Sequence, residues 1–367
     1  MDNAPDIGLQ ITLEYFFMKS RIKIIAGPCS AESREQVLDT AKALAKTGIY
    51  AFRAGLWKPR TRPGMFEGVG SKGLQWLKDV KAETGLKVCC EVATPEHLRQ
   101  ALEAGVDILW IGARTTADPF AVQALADAVK DMDKTPEALL IKNPVNPDVE
   151  LWAGALERFL NAGIRQIILV HRGFSSYGNQ IYRNIPLWHI PIEMKRRFPD
   201  IQMLCDPSHM GGKPQLIAPI SQQALDLMYD GLMIECHINP DQALSDRAQQ
   251  ITPIQLEKIL SHLKVRENSR NQQSLESFRS QIDSLDESLL QIISKRMDVS
   301  RQIGDFKQRN NMPVLQSKRY SEIVENRSDL AESLGLDRDF AKSLMEIIHK
   351  ESVKVQLKQR NEDSNPK

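Results

Sequence analysis

Cysteine is scarce. The chain has five in 367 residues, an odd number, and no CxxC pair. That excludes a disulfide framework and fits a reducing compartment. No apolar run approaches the roughly 20 residues a membrane span requires. The first residues include acids and lack a long apolar core, so no signal peptide is expected and the expected location is the cytoplasm. Neither sign of charge dominates, with 48 Lys and Arg against 47 Asp and Glu. The global electrostatic footprint of a nucleic-acid or membrane-surface binder is therefore missing. Any anion site must come from a local cluster.

What is present is a rhythm. Short apolar, β-branched runs recur at 22–26, 50–53, 87–92, 108–111, 138–141, 166–170, 202–205 and 231–235. Segments of helical period separate them, as at 35–46, 72–84 and 95–104. Several end in a glycine that stops the helix, such as Gly48, Gly85, Gly105 and Gly163. Continuous rather than alternating apolar strands indicate burial on both faces, as in a parallel sheet. Eight β-α units predict an α/β protein with a closed (β/α)8 barrel over 21–264. An open doubly wound sheet is the alternative, with fewer strands. Residues 1–20 form an N-terminal extension in which 11–17 read as an added strand or hairpin.

Composition then shifts. Residues 265–275 are polar and read as a linker. From 276 no strand signal remains, and apolar residues recur at three- and four-residue steps. One helix of about 35 residues, roughly 50 Å long, is predicted to end near Arg309. It is too long to stand without partners. Helices over 317–334 and 339–358 complete a helical unit at 276–357, followed by a flexible tail at 358–367.

In a barrel of this kind chemistry belongs at the C-terminal ends of the strands. Two constellations gather there. Arg53, Lys58, Arg60, Arg114, Lys142 and Arg172 are cations that would repel one another unless anions fill the space. Two phosphorylated substrates, or a phosphate and a carboxylate, would satisfy them. Cys29, His209, Glu235 and Asp246 combine a thiolate, an imidazole and two carboxylates. That set suits Mn, Fe, Co or Zn better than Ca or Mg. Taken singly, each residue reads as a solvated rim charge or a satisfied core side chain. Cys29 as a nucleophile lacks an adjacent base.

The segments GPCS, KPRT, GAR, IKN, HRG, DPSH and ECHINPDQALSD, in this order, resemble the 3-deoxy-D-arabino-heptulosonate 7-phosphate (DAHP) synthases. The compact type I beta branch is most similar, over about 20–263. The resemblance implies condensation of phosphoenolpyruvate with erythrose 4-phosphate at a divalent metal ion, Mn foremost, held by Cys29, His209, Glu235 and Asp246. It implies that Arg114, Lys142 and Arg172 bind the phosphoenolpyruvate phosphate, with Arg53 and Lys58 near its carboxylate. Arg60, Thr61 and Asp206 would bind erythrose 4-phosphate. Lys58, Glu91 and His209 are the catalytic candidates. Glu91 would order the attacking water, and the proton donor to the new alkoxide stays open between Lys58 and a metal-bound water. Sister octulosonate-phosphate synthases have Lys-Ala-Asn-Arg-Ser where this chain has Lys58-Pro59-Arg60-Thr61.

On the long helix, Arg296 and Lys307 fall on one face about 16 Å apart, whereas Arg279 lies about 25 Å before Arg296. One small dianion cannot touch all three on a single straight helix. If all three serve one site, Arg279 comes from a second chain; otherwise they form a charged solvent face. The segment from Ser277 to Lys307, with PVLQSKR and IIHKESVKVQ, resembles the all-helical chorismate mutases. These are intertwined dimers that rearrange chorismate to prephenate without a cofactor. The resemblance implies that Arg279 of a partner chain, Arg296, Lys307, Arg319, Ser352 and Gln356 bind chorismate. Where many members have Asp and Glu flanking the third arginine, this chain has Gln316 and Tyr320. A homodimer through the helices is expected, with tetramers left open. The expectation is a bifunctional enzyme in which prephenate or chorismate, bound in the helices, inhibits DAHP synthesis. A helical unit that only regulates or dimerises is the alternative.

Overall fold

In the computed structural model, backbone is described for residues 22–58, 63–178, 181–266, 272–315 and 317–363. The side chains of 272–275, 277, 317–324 and 359–363 lie outside the description. So does the strand or hairpin expected at 11–17.

The chain divides into two compact units, Met1–Glu267 and Asn268–Lys367. The first contains a closed parallel barrel in which each strand pairs with the next in sequence and β8 returns to β1. Its strands are β1 (Lys23–Gly27), β2 (Ala51–Arg53), β3 (Lys87–Val92), β4 (Ile108–Ile111), β5 (Ala138–Lys142), β6 (Ile167–His171), β7 (Gln202–Cys205) and β8 (Gly231–Glu235). Its helices are α1 (Arg34–Ala45), α2 (Lys72–Thr84), α3 (Pro95–Glu103), α4 (Ala113–Thr116), α5 (Pro119–Lys130), α6 (Val149–Asn161), α7 (His189–Arg197), α8 (Pro207–Gly211), α9 (Pro214–Asp226) and α10 (Pro253–His262).

Side chains alternate across each strand. Ile25, Ala51, Cys89, Trp110, Leu140, Ile168, Leu204 and Met233 fill the barrel interior. Ile24, Phe52, Val88, Leu109, Leu139 and Leu169 point outward into the layer beneath the helices. Both faces are dry, which explains the continuous apolar runs. The helix starts are locally encoded. Ser33, Thr94, Asp118, Asp148 and Thr252 each accept a backbone N–H at an N-terminus, and Thr252 completes a capping box with Gln255.

Closure puts β1 beside β8 with Gly27 opposite Glu235. A Cβ at Gly27 would fall 2.1 Å from the Arg53 carbonyl oxygen. Only glycine lets the end of β1 approach β2 so closely.

The second unit consists of α11 (Gln272–Arg309), α12 (Ser317–Ser333) and α13 (Arg338–Asp363). Helix α13 packs on both α11 and α12. Two expected boundaries shift. Helix α11 begins at Gln272, inside the expected linker, because Gln272-Gln273-Ser274 contains no breaker. Helix α13 runs through Asp363 where a tail was expected at 358–367, since no glycine or proline intervenes before Pro366. Among the described residues no helix is long and apolar enough to cross a membrane.

Candidate active sites

The strand ends and the long loops after β2, β6 and β8 enclose a cavity of about 160 Å³ at the C-terminal face of the barrel. Arg53, Lys58, Glu91, Trp110, Arg114, Lys142, Arg172, Arg183, His209 and Asp246 line it. Every described member of the expected cation set is therefore there. Arg60 and Thr61 lie outside the described residues.

Each cation is placed by something specific. Arg53 is buried at the end of β2, 3.1 Å from Glu235, with its guanidinium over the Trp110 ring. Lys142 ends β5 and is bonded to Asp206 at 2.7 Å. Arg172 donates to Asn184 Oδ1 at 2.6 Å. Lys58 donates to the Cys29 carbonyl at 3.0 Å. Burial opposes its charge, but Cys29, Glu91 and Glu235 outweigh burial, so its pKa is raised and it stays protonated. Burial pushes Arg172 down to about 10, and Arg183 and Arg114 push the same way. Among the described residues, Arg53 Nε and Nη1 and Arg172 Nε are buried donors without a hydrogen-bond partner. Such orphans are expensive in a closed protein, and an anion in the cavity would satisfy them.

At one side of this cavity Cys29 Sγ and carboxylate oxygens of Glu235 and Asp246 lie within 4.8 Å of one another. Cys29 Sγ is 3.3 Å from Asp246 Oδ2. The fourth expected ligand, His209, stands at the rim of the group. Its Nε2 is 3.6 Å from Glu235 Oε1, and its Nδ1 sits 2.8 Å from Asp206 without hydrogen-bond alignment. Burial, with Glu235 and Asp246 nearby, pushes the Cys29 thiol up to about 12 against the pull of Lys58 and Arg53. For Asp246, burial opposes ionisation, but His209, Arg183 and Lys58 hold its carboxyl far below the usual range. A thiol and two ionised carboxylates at this spacing, with an imidazole alongside, form a donor set that fits a divalent transition metal.

Glu91 points into the cavity from β3. Its Oε1 occupies the space a side chain at Gly112 would need, since a Cβ there would lie 2.0 Å away. Asp206 does not line the cavity. It is fully buried, bonded to Lys142 and to the His209 backbone N–H. From beneath the cavity it holds Lys142 and the His209 backbone in position. Sequence reasoning also missed Trp110, the ring under Arg53 and Lys142, and Arg183, which bonds Asp246 at 3.0 Å. Trp110 reads as plain core in an apolar strand. The length of the loop after β6 was the available signal for Arg183.

In the helical unit, Arg296 on α11 donates to Ser352 Oγ on α13. Lys307 is buried and donates to the Val314 carbonyl at 2.6 Å. Gln356, one turn beyond Ser352, is buried too. Burial lowers the His349 pKa, with Arg296 and Lys307 both close enough to add to the effect. These groups share one polar face between α11 and α13. Arg279 does not join them. It is exposed and paired with Glu276 at 2.5 Å. Arg319, Gln316 and Tyr320 lie outside the described side chains.

Comparison with known proteins agrees in both units. Residues 18–271 match the DAHP synthetase I family, and residues 278–357 match chorismate mutase type II. The phospho-2-dehydro-3-deoxyheptonate aldolase of Thermotoga maritima is 33% identical over 251 residues, covering 68% of this chain and 70% of that protein. A crystal structure of that DAHP synthase aligns with a TM-score of 0.58 at 30% identity, covering 65% of this chain and 67% of the other. A 2-dehydro-3-deoxyphosphooctonate aldolase of Nitratidesulfovibrio vulgaris is more distant, 26% identical over 62% of this chain and 86% of its own length. The chain belongs to the DAHP synthetase I family and has a chorismate mutase type II domain that follows the barrel in sequence.

Proposed function

We propose that the barrel condenses phosphoenolpyruvate with erythrose 4-phosphate to DAHP and phosphate, and that the helical unit converts chorismate to prephenate. For the barrel the supporting observation is the trio of orphaned guanidinium nitrogens facing a cavity beside the Cys29, Glu235 and Asp246 cluster. Arg114, Lys142 and Arg172 take the phosphoenolpyruvate phosphate, and Arg53 and Lys58 its carboxylate. Arg60 and Thr61 take the phosphate of the aldehyde. Cys29, His209, Glu235 and Asp246 would hold a divalent ion, Mn first, which would supply Lewis acidity toward the aldehyde oxygen. Carbon C3 of phosphoenolpyruvate attacks the aldehyde carbon. Lys58, kept protonated, delivers the proton to the new alkoxide. Glu91 orders the water that adds at C2, and the fixed cations stabilise the charge as phosphate leaves.

In the helical unit Arg296, Lys307, Arg319, Ser352 and Gln356 hold the two carboxylates and the ether oxygen of chorismate. The reaction is a rearrangement, so restraint and charge stabilisation suffice. Arg279 is supplied by a second copy of the chain in a homodimer. Prephenate or chorismate bound in this unit inhibits the barrel. Deleting residues from 268 onward should remove that inhibition, and a truncated barrel that keeps it contradicts the feedback role.

A paired assay tests the reading. Full-length protein treated with chelator should lose DAHP formation, regain it with Mn2+, and keep prephenate formation throughout. Turnover of arabinose 5-phosphate in preference to erythrose 4-phosphate would instead make the barrel an octulosonate-phosphate synthase.

A further inference from the structure

Two neighbouring residues in the loop between β6 and α7 touch both halves of the barrel site. Arg183 Nη1 donates to Asp246 Oδ1 at 3.0 Å and also to Gln249 Oε1. The other Asp246 oxygen, Oδ2, faces Cys29. Gln249 passes the contact on, donating to Glu235 Oε2 at 2.7 Å and leaving Oε1 toward Arg53 and His209. One guanidinium thus orients both carboxylates of the cluster.

Asn184 works in the other direction. Its Oδ1 accepts from Arg172 at 2.6 Å, and its Nδ2 donates to the His209 carbonyl at 2.6 Å. The dipeptide is held in place. Its Asn184 N–H donates to the Met210 carbonyl at 3.1 Å. Two glycines leave room for it. A Cβ at Gly212 would lie 2.6 Å from Arg183 Cβ, and one at Gly173 would lie 2.6 Å from the Asn184 carbonyl oxygen.

Resting on the metal reading above, we infer that Arg183 and Asn184 form a positioning clasp that couples the metal-ligand cluster to the phosphate-binding cations. Arg183 fixes the carboxylate geometry by outer-shell hydrogen bonds, the kind of contact whose loss costs about 10–100-fold in metal affinity. Asn184 ties the position of Arg172 to that of His209. Phosphate binding then favours metal binding and the reverse, as linkage requires.

The test is calorimetric titration of metal-free, full-length protein with Mn2+, with and without inorganic phosphate. Wild-type protein should bind Mn2+, and phosphate should tighten binding by about 5-fold or more. Arg183→Ala should weaken Mn2+ binding by about 10–100-fold, and Arg183→Lys should recover only part, because a flexible ammonium lacks the rigid planar donor directions by which Nη1 bonds both Asp246 and Gln249. Asn184→Ala should bring the phosphate effect toward unity. An unchanged cooperative melting transition of the barrel reports that each variant is folded. A guanidinium that merely neutralised Asp246 would compete with the metal, so tighter Mn2+ binding in Arg183→Ala overturns the inference, as does unchanged affinity or an unchanged phosphate effect in Asn184→Ala. Wild-type protein that binds no Mn2+ overturns the metal reading itself and the clasp with it.

Discussion

The two units bury opposite kinds of side chain. The barrel encloses aliphatic residues on both faces of its sheet and keeps its charges at one mouth, where Arg53 meets Glu235 and Lys142 meets Asp206 within a single chain. The helical unit reverses this. Among its described residues the buried ones are mostly polar, with Ser300, Lys307, Ser328, Ser352 and Gln356 set beside only Met297, Ala331 and Ala341. Its large apolar residues face outward, as with Phe278 at 62%, Leu285 at 69% and Ile347 at 68% exposure. An exposed apolar surface of this extent marks an interaction face. The barrel is complete as one chain. The helical unit holds a polar cluster between α11 and α13 and leaves its large apolar residues exposed, as the proposed homodimer requires.

The comparison can be broken most severely at Cys29. Cys29→Ala should abolish Mn2+ binding and DAHP formation, with the melting transition of the barrel little changed. Prephenate formation should not respond. A variant that retains full DAHP synthesis removes the thiolate from the ligand set.

Next in size is Arg296→Ala, which should lower prephenate formation by about 10²–10³-fold, the usual loss for one donor to developing charge. DAHP formation in the absence of prephenate should be unaffected. A unit that only dimerises would show no change in either activity.

A mixing experiment sharpens the claim of a shared site. Arg279→Ala and Arg296→Ala chains should each be nearly inactive as mutases. Refolded together in equal amounts, they should recover about a quarter of the wild-type activity, because half the dimers are mixed and each mixed dimer has one intact site. No recovery would place Arg279 outside the partner's site.

The smallest effect concerns the barrel wall. His171 on β6 is buried between Tyr229 and the Pro186 carbonyl, and burial lowers its pKa to about 3. The unfolded chain takes up a proton near the ordinary value of about 6.5, while the folded chain stays neutral. Stability therefore falls as pH drops through that window, by about 1.4 kcal/mol per pH unit from this one group. His171→Gln should remove that share of the acid slope in urea unfolding measured between pH 6 and 4.

How much the sequence shows differs between the units for a physical reason. The eight strands are short and dry on both sides, so their apolar runs mark them to within a residue or so. Lys142 and His171 each extend the strand one residue past the apolar run. Strand ends converge by topology alone, which is why the cations meet at one mouth. Side-chain direction was not legible. Nothing in the spacing shows that Asp206 turns beneath the cavity or that His209 leans toward it. Arg183 sits in a long loop whose course depends on Gly173 and Gly212 leaving space. In the helical unit, periodicity located the helices, but a helical stripe reads the same whether it faces its own core or another chain.

The length of α11 has a kinetic consequence. It spans 38 residues, about 57 Å, and puts Arg279 and Lys307 some 42 Å apart on one rigid rod. On the shared-site reading, the two reactions of this polypeptide differ in their order in enzyme. Below the dissociation constant of the dimer, DAHP is made at a rate proportional to chain concentration, whereas prephenate is made at a rate proportional to its square.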